Sequence, residues 1–467
     1  MTIVKLPPMG VRHLQVLFLF TCAVLTFHQR VSLSVGIVAM TNANTTNPDF
    51  PEYELSEREK SYMLGSIYWG STLTHLLGGY LSSRYGAKLL LLCSVLGTSV
   101  LGLCLPVAID KVCWRLFCVI RILQGLFQGV MWPSLYSHLA KWCPKKERNR
   151  LGGIAQTGLD IGTALGFAAS GLLAASPLGW PSMFYVPGVI GIIWSLLWII
   201  FGVSSPDKSP FISQAELQLI QSSQETPVHS TTKRSIPFCA IITSVPYIVL
   251  AICKVSQATS YHTLMQQIPT YLHGIFNYDI KINALLSALP FVFMCVMSYV
   301  CLVVADVLTH NELVSLTVLR KSINSFASWV PAVSFIALAY MDAENIVGSI
   351  ICLVICVASI SAQAIGSSLN HIDLSPNYAG FLFGLTTTLM SIAGVLSPVA
   401  ISFVVTDESD REQWRIVFIA IALILFFGNL LYIIFGQMTV QPWNDPITKP
   451  TEPQQQTQGP SEHTTKL

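Results

Sequence analysis

About twelve stretches of this chain are each apolar over some 20 residues or more, and that repetition leaves few folds open. They fall near 14–40, 61–82, 88–109, 113–138, 151–175, 182–203, 241–272, 284–307, 322–341, 346–370, 379–405 and 414–437. A hydrocarbon core of about 30 Å takes about 20 helical residues to cross. Only helices or closed barrels satisfy their backbone groups in lipid, and long runs without alternation do not suit barrel strands. The expected fold class is an all-α membrane protein with about twelve transmembrane helices in two six-helix bundles. Composition agrees, because charged residues make up 11% of the chain, whereas a soluble domain carries about 25% to coat its surface. The lipid bilayer is the expected partner, and nucleic acid is not. The first stretch follows Lys5, Arg12 and His13, as a signal peptide would. Its length, its internal Arg30 and the lack of a small-residue cleavage site argue that it stays in the mature protein.

Charge sets the expected orientation. The loops after spans two, four and eight carry Arg84 and Lys88, then Lys141, Lys145, Lys146, Arg148 and Arg150, then Arg320 and Lys321. The alternate loops carry Asp49, Glu52, Glu54, Glu57 and Glu59 after span one, and Asp407, Glu408, Asp410 and Glu412 after span eleven. Lysine and arginine stay on the cytoplasmic side, so both termini are expected there. Asn44, followed by Thr46, forms a glycosylation acceptor in the first outer loop. The twelve cysteines lie mostly within spans without regular spacing and read as packing residues.

The chain divides as a 1–13 cytoplasmic N-terminus, a 14–203 N-terminal bundle, a 204–240 cytoplasmic linker, a 241–437 C-terminal bundle and a 438–467 disordered cytoplasmic tail. The linker is polar and carries Pro206, Pro210 and Pro227. Loops at equivalent places in the two halves resemble one another, as expected of repeats that rock about a site near the bilayer midplane.

Arg30 is a charge in the middle of an apolar span. A guanidinium there costs at least roughly 2.5 kcal/mol in hydrocarbon, so it has to face a partner or a watery cavity. Together with Arg121 it supplies the fixed positive charge that a small anion needs. Arg121, Gln124, Gly125, Gln128 and Trp132 share one face of span four, and Gly125 and Gly129 allow close helix contact. The alternative for Arg121 is a structural charge bonded to carbonyls at a helix junction. Lys254, Tyr261, His262, Gln266 and Gln267 form a second polar face on span seven, although Lys254 alternatively snorkels to the interface. Asp160, inside span five, is the candidate for cation coupling, through sodium or through pairing with Arg30 or Arg121; the alternative is solvation at the membrane edge. His75 and His371 read as satisfied polar residues, and Asn370, His371 and Asp373 as a gate or loop anchor.

The chain resembles the major facilitator superfamily. Gly79, Arg84, Gly86 and Lys88 match its Gly-x-x-x-Asp-Arg-x-Gly-Arg-Lys loop, with Ser83 where aspartate is usual; the second half keeps Asp306. A closer resemblance is to the anion:cation symporter branch of type I phosphate cotransporters, sialin and vesicular glutamate transporters. It rests on Arg30-Val-Ser-Leu-Ser-Val-Gly-Ile-Val-Ala-Met-Thr-Asn42, Gly65-Ser-Ile-Tyr-Trp-Gly70, Arg121-Ile-Leu-Gln-Gly125, Lys141-Trp-Cys-Pro144, Gly179-Trp-Pro181, Asn370-His-Ile-Asp-Leu-Ser-Pro376 and Gln441-Pro-Trp-Asn-Asp-Pro446. It implies a secondary active transporter of small anions, with a sodium ion as co-substrate and no cofactor. Gln128 and Gln124 stand where sialin has glutamates, Leu64 where the glutamate transporters have a histidine, and Gln257 near their span-seven arginine. These departures point towards sodium-coupled phosphate or organic anion cotransport. The alternative is proton-coupled or voltage-driven transport of carboxylates such as sialic acid, glutamate or urate, or a uniporter. Neither a His-Glu-x-x-His cluster nor a nucleotide-binding loop is present, so an enzyme is not expected. The expected location is the plasma membrane ahead of a lysosomal or vesicular membrane.

Overall fold

The computed structural model describes residues 10–42, 46–223, 236–310, 314–342 and 344–444. Twelve long helical spans follow one another: Val11–Thr41, Glu57–Tyr85, Ala87–Lys111, Trp114–Trp142, Lys145–Ala174, Ser182–Phe201, Val245–Phe276, Ile280–His310, Leu316–Tyr340, Ile346–Leu374, Ala379–Val404 and Arg411–Phe435. Ten of them are both long enough and apolar enough to cross a membrane. Spans two and seven, with 29 and 32 residues, are long enough but more polar. An even number of spans puts Val11 and Phe435 at the same end of the bundle, called here the terminal end; the opposite one is the far end.

Two spans are interrupted, each for a local reason. Span four consists of Trp114–Gly129 and Met131–Trp142, parted at Val130. Pro133 has no N–H for the Gly129 carbonyl, so the ladder fails one turn before it. Span ten contains a π-helical turn, Ala364–Ser368. Such a turn frees carbonyls, and Arg320 of span nine takes one of them, donating to Ile365 O at 2.7 Å. The turn from span two to span three needs a left-handed residue, supplied by Gly86 at φ +86°.

Span pairs one–five, two–four and nine–twelve pack within the halves, while two–eleven and five–eight join them. Span two lies almost backbone to backbone on span four. A Cβ at Gly70 would meet Ile122 O, and one at Gly125 would meet Ile67 O.

The apolar core is distributed unevenly between the two ends. Towards the far end one cluster contains Met40, Met63, Phe167 and Trp180 of the N-terminal half together with Leu272, Ile280, Phe335 and Trp414 of the C-terminal half. Towards the terminal end the halves have separate clusters, one built on Leu19, Leu139 and Trp198 and others on Leu250, Leu374 and Tyr432 or Ile241, Tyr247 and Leu382. The halves are thus sealed together at the far end and have their own cores at the other.

The linker carries a helix, Gln214–Ser223. Its buried Glu216 accepts from the amides of Val11 and Arg12, each at 3.0 Å, and from Arg12 Nη1 at 3.0 Å, while Arg12 Nε reaches Glu147 of span five at 2.8 Å. This staples the start of the linker to the N-terminal half. One expected boundary is corrected. Residues 438–444, assigned to the disordered tail, are packed: Gln441 N donates to Leu374 O at 2.9 Å and Ser375 Oγ to Asn444 Oδ1 at 2.7 Å. The reason is that Asn444 caps a polar loop, which composition does not register. The rest of the tail and Asn44 lie outside the described residues.

Candidate functional site

Arg30 sits between two aromatic rings, its guanidinium 5.1 Å from the centre of Phe27 and 5.3 Å from that of Tyr68. Cation–π contact of this kind stabilises a cation that has left water. Its Nε donates to Gln128 Oε1 at 3.1 Å, which fixes the plane of the fork. Both Nη groups are left without a protein hydrogen-bond partner among the described residues. Beside them, the Tyr68 hydroxyl and His262 Nδ1 are also buried without a partner. The Tyr68 and His262 rings meet edge to face with centres 4.7 Å apart, so this patch lies where span two of one half touches span seven of the other. His75 of span two is within electrostatic reach of Arg30 and shares a 3.0 Å hydrogen bond with Ser391 of span eleven.

Arg121 takes the structural alternative foreseen for it. It is 1% exposed and donates from Nη1 to Gln29 O and from Nη2 to Arg30 O, both at 3.1 Å, and from Nη1 to Gln124 Oε1 at 3.4 Å. Gln124 in turn donates to Thr98 O at 2.9 Å. Arg121 therefore clamps the backbone of span one at the residue whose guanidinium has both Nη groups unpaired, and does not itself present its fork to an anion. Arg121→Lys keeps the charge but loses the planar fork that holds two carbonyls at once. Each charge-assisted bond contributes about 1.5–3 kcal/mol, so this variant is expected to lower transport by about tenfold or more while Arg30 remains in place; uptake at saturating substrate measures it. Trp132 lies beyond the break in span four, its ring stacked on Tyr136 with centres 6.0 Å apart and 6.1 Å from the Phe27 ring of span one.

Asp160 is 7% exposed, which does not fit the alternative of solvation at a membrane edge. Nor does it pair with an arginine: its hydrogen-bond partner is Ser298 Oγ of span eight, at 3.4 Å. Gly158 and Gly162, which flank it, press span five onto the backbone of span one at Phe20 and Val24, and this turns Asp160 away from Arg30 towards the other half. Tyr261 connects the two charges, being within electrostatic reach of both Asp160 and Arg30.

Lys254 does not snorkel. It is 3% exposed and donates to Ser368 Oγ at 2.9 Å and Gln363 Oε1 at 3.2 Å, beside the π-helical turn of span ten. Deeper in the same half, Gln257 donates to Asn324 Oδ1 and Ser328 Oγ and accepts from Ser367. Asn370 donates to Tyr432 Oη at 3.0 Å, His371 has a partner on each ring nitrogen, Ser368 O and Thr386 Oγ1, and Asp373 accepts from Arg320 at 3.1 Å. Arg84 donates to Tyr80 Oη at 2.8 Å on its own helix, and Lys88 to Ile199 O at 3.1 Å. The Asp306 side chain is outside the described residues. Tyr68, Ser298 and Ser368 were not singled out from the sequence. Only Tyr68 had a signal, its place in Gly65-Ser-Ile-Tyr-Trp-Gly70.

Comparison with known proteins places this geometry. The family model described as Major Facilitator Superfamily matches residues 31–398. A Drosophila melanogaster protein named "Putative inorganic phosphate cotransporter" is 33% identical over 96% of this chain and 88% of its own length. Human sialin is 31% identical over 89% of this chain and 87% of its own, and bovine vesicular glutamate transporter 2 is 28% identical over 90% and 73%. Among solved structures, the xylose transporter XylE from E. coli superposes with a TM-score of 0.69 at 15% identity, covering 91% of this chain and 96% of its own. A bacterial homologue of the human lysosomal transporter Spinster gives 0.70 at 14%, covering 92% and 97%. The chain belongs to the major facilitator superfamily, in the anion:cation symporter branch with the phosphate cotransporters, sialin and the vesicular glutamate transporters.

Proposed function

We propose that this transporter moves small anions by alternating access, as a sodium-coupled cotransporter of inorganic phosphate or an organic anion, with Arg30 as the principal anion ligand. The observation that carries the reading is the unspent fork of Arg30 beside the Tyr68 hydroxyl and His262 Nδ1. A guanidinium, a phenol and an imidazole N–H are all donors, and together they suit the oxygens of a phosphate or carboxylate. The set draws on both halves, so an anion bound there resists their separation. Lys254, buried without a carboxylate partner among the described residues, is the cation the anion meets as it moves towards the terminal end. We place that end in the cytoplasm, on the charge of the loops, and residues 14–203 and 241–437 as the rocking halves. On this orientation Asn44 faces the outer or luminal compartment, and the membrane is the plasma membrane or an endomembrane.

Asp160 is the proposed coupling residue. A buried carboxylate is stable only with a cation or a proton, and its bond to Ser298 crosses from one half to the other, so its occupancy is tied to their relative position. One observation favours a second reading, proton coupling: a single hydroxyl at 3.4 Å is a thin oxygen shell for sodium. The test is uptake of labelled phosphate and of carboxylates into proteoliposomes, with sodium replaced by choline in one series and a proton gradient imposed in another. Sodium dependence lost in Asp160→Asn supports cotransport with sodium; proton dependence lost in the same variant supports the second reading. Flux indifferent to both ions in the unmodified chain refutes coupling and leaves a uniporter.

A further inference from the structure

At the far end one charge cluster joins the two halves. Lys60, in the polar first turn of the span-two helix and ahead of the apolar run 61–82, donates from Nζ to Glu57 at 2.8 Å and to Glu408 at 2.7 Å. Glu57 belongs to the same helix, whereas Glu408 belongs to the loop between spans eleven and twelve, in the opposite half. The side chains of Lys60, Glu57 and Glu408 are 13%, 25% and 16% exposed, so this is not a freely solvated surface pair. The loop that presents Glu408 is itself fixed. Gln413 Oε1 accepts from the amides of Thr406 at 2.7 Å and Asp407 at 3.1 Å, and Trp414 Nε1 donates to Glu408 O at 2.9 Å. On its other side is Gly274 of span seven, where even a Cβ would collide with the Glu408 backbone. The loop has no slack to follow span two. If span two swings away, the Lys60–Glu408 contact has to break.

We propose that Glu57, Lys60 and Glu408 form an ionic latch that holds the far mouth shut, and that a proton taken from the far compartment tightens it. The proposal rests on the alternating-access reading and adds a control that reading does not contain. Two carboxylates share one ammonium, so they repel each other while both are charged. Burial, and then the Glu408 carboxylate, hold the Glu57 carboxyl above the usual carboxylate range. Burial works against the Lys60 charge, but the Glu408 and Glu57 carboxylates outweigh it and hold the ammonium above its usual value. In an opened mouth Glu57 returns to water and to its ordinary value. The closed state therefore binds the proton more tightly than the open one, and by linkage a falling pH favours closure. A proton on Glu57 leaves a plain Lys60–Glu408 pair across the halves, without the competing charge. The neighbouring charges are engaged elsewhere: Arg58 lies over the Phe403 ring at 5.1 Å, Glu59 accepts from Ser56 N at 2.9 Å, Asp407 accepts from Ser409, and His273 faces the Tyr278 carbonyl.

Hydrogen exchange on the full-length protein in lipid nanodiscs tests this without a substrate, comparing about pH 7.5 with about pH 5.5 after correction for intrinsic rates. The far ends of spans one and seven, residues 31–41 and 264–276, report opening. Lys60→Ala and Glu408→Gln are each expected to speed exchange there about threefold to tenfold, as for a partly buried ion pair. Acidification is expected to slow exchange in the unmodified protein. Glu57→Gln is expected to be as protected at the higher pH as the acidified parent and to show no pH dependence. Unchanged exchange in both Lys60→Ala and Glu408→Gln overturns the latch. An acid effect that persists in Glu57→Gln, or that has the opposite sign, overturns the proton control. Should Lys60→Ala fail to fold, Glu408→Gln, a near-isosteric change in a loop, carries the test alone. A chain that shows this pattern yet moves no phosphate or carboxylate keeps the latch and fails only the proposed cargo.

Discussion

Arg30→Ala is expected to abolish anion uptake, lowering it by roughly a hundredfold or more while the protein stays folded and in the membrane. The size follows from what is removed. Each charge-assisted hydrogen bond to a desolvated anion contributes about 1.5–3 kcal/mol, and about 1.4 kcal/mol is a tenfold change in binding. With Nε held by Gln128, both Nη groups are free to donate, so two such bonds are lost at once. Folding has less at stake, because the span-one backbone is held by Arg121 through the Gln29 and Arg30 carbonyls, bonds that do not need the Arg30 side chain. Arg30→Lys separates charge from geometry. An ammonium keeps the charge, but it cannot both hold Gln128 and present two coplanar donors, so a partial loss of about tenfold is expected. Uptake of labelled phosphate, with unlabelled carboxylates as competitors and surface-exposed protein quantified, measures both variants. Near-normal uptake in a well-expressed Arg30→Ala protein would remove Arg30 from the anion site.

Gly125→Ala is the second large effect, and it acts on folding rather than on transport chemistry. One methyl group at this position would meet the Ile67 carbonyl and the Ser71 amide, and a methyl at Gly70 would meet Ile122 O and Leu126 N across the same seam. These are backbone atoms within two helices, so neither can rotate away as a side chain would. Overpacking typically costs 1–3 kcal/mol where side chains can adjust; here about 3 kcal/mol or more is expected. Gly384 of span eleven is the control. A Cβ there meets nothing within 4 Å, so Gly384→Ala is expected to be neutral or slightly stabilising. Thermal unfolding of the detergent-solubilised proteins, followed by size-exclusion chromatography, separates the two. Equal melting temperatures for Gly125→Ala and the parent would refute the close seam.

Much of this architecture is legible in the sequence because hydrophobic length is a local property. The start expected at 182 is the helix start, and the twelve spans fall where their apolar runs do, extended by polar turns such as Glu57–Lys60 and Lys145–Arg150 that hydropathy alone trims. The Arg121–Gln124–Gln128 face was also readable, since helical periodicity puts those residues together. Its partners were not. Whether Arg121 meets an anion or the carbonyls of Gln29 and Arg30 depends on how close span four comes to span one, and helical periodicity within span four does not fix that distance. Asp160 illustrates the same limit: its neighbour Ser298 lies in a different half, and nothing in Gly158-Leu-Asp-Ile-Gly162 names it. The break at Val130 follows from Pro133, but proline also occurs inside spans three, six and eight, which stay continuous.

Spans two and seven bear on how the chain is made. A helix enters the bilayer from the insertion machinery when its summed side-chain transfer is favourable. Span seven carries Lys254, Gln257, His262, Gln266 and Gln267, all buried against protein in the finished molecule. At the moment of synthesis those neighbours do not yet exist. Spans nine and ten, which give Lys254 and Gln257 their partners, are still unmade when span seven leaves the ribosome. Span seven is therefore expected to wait in a protein-lined or interfacial environment until later helices arrive, whereas strongly apolar span six commits at once. Chains truncated after residue 280 should leave span seven accessible to water-soluble reagents, and chains extended through span ten should hide it. The polarity that equips this helix for its place in the mature protein thus makes it a late arrival in the bilayer.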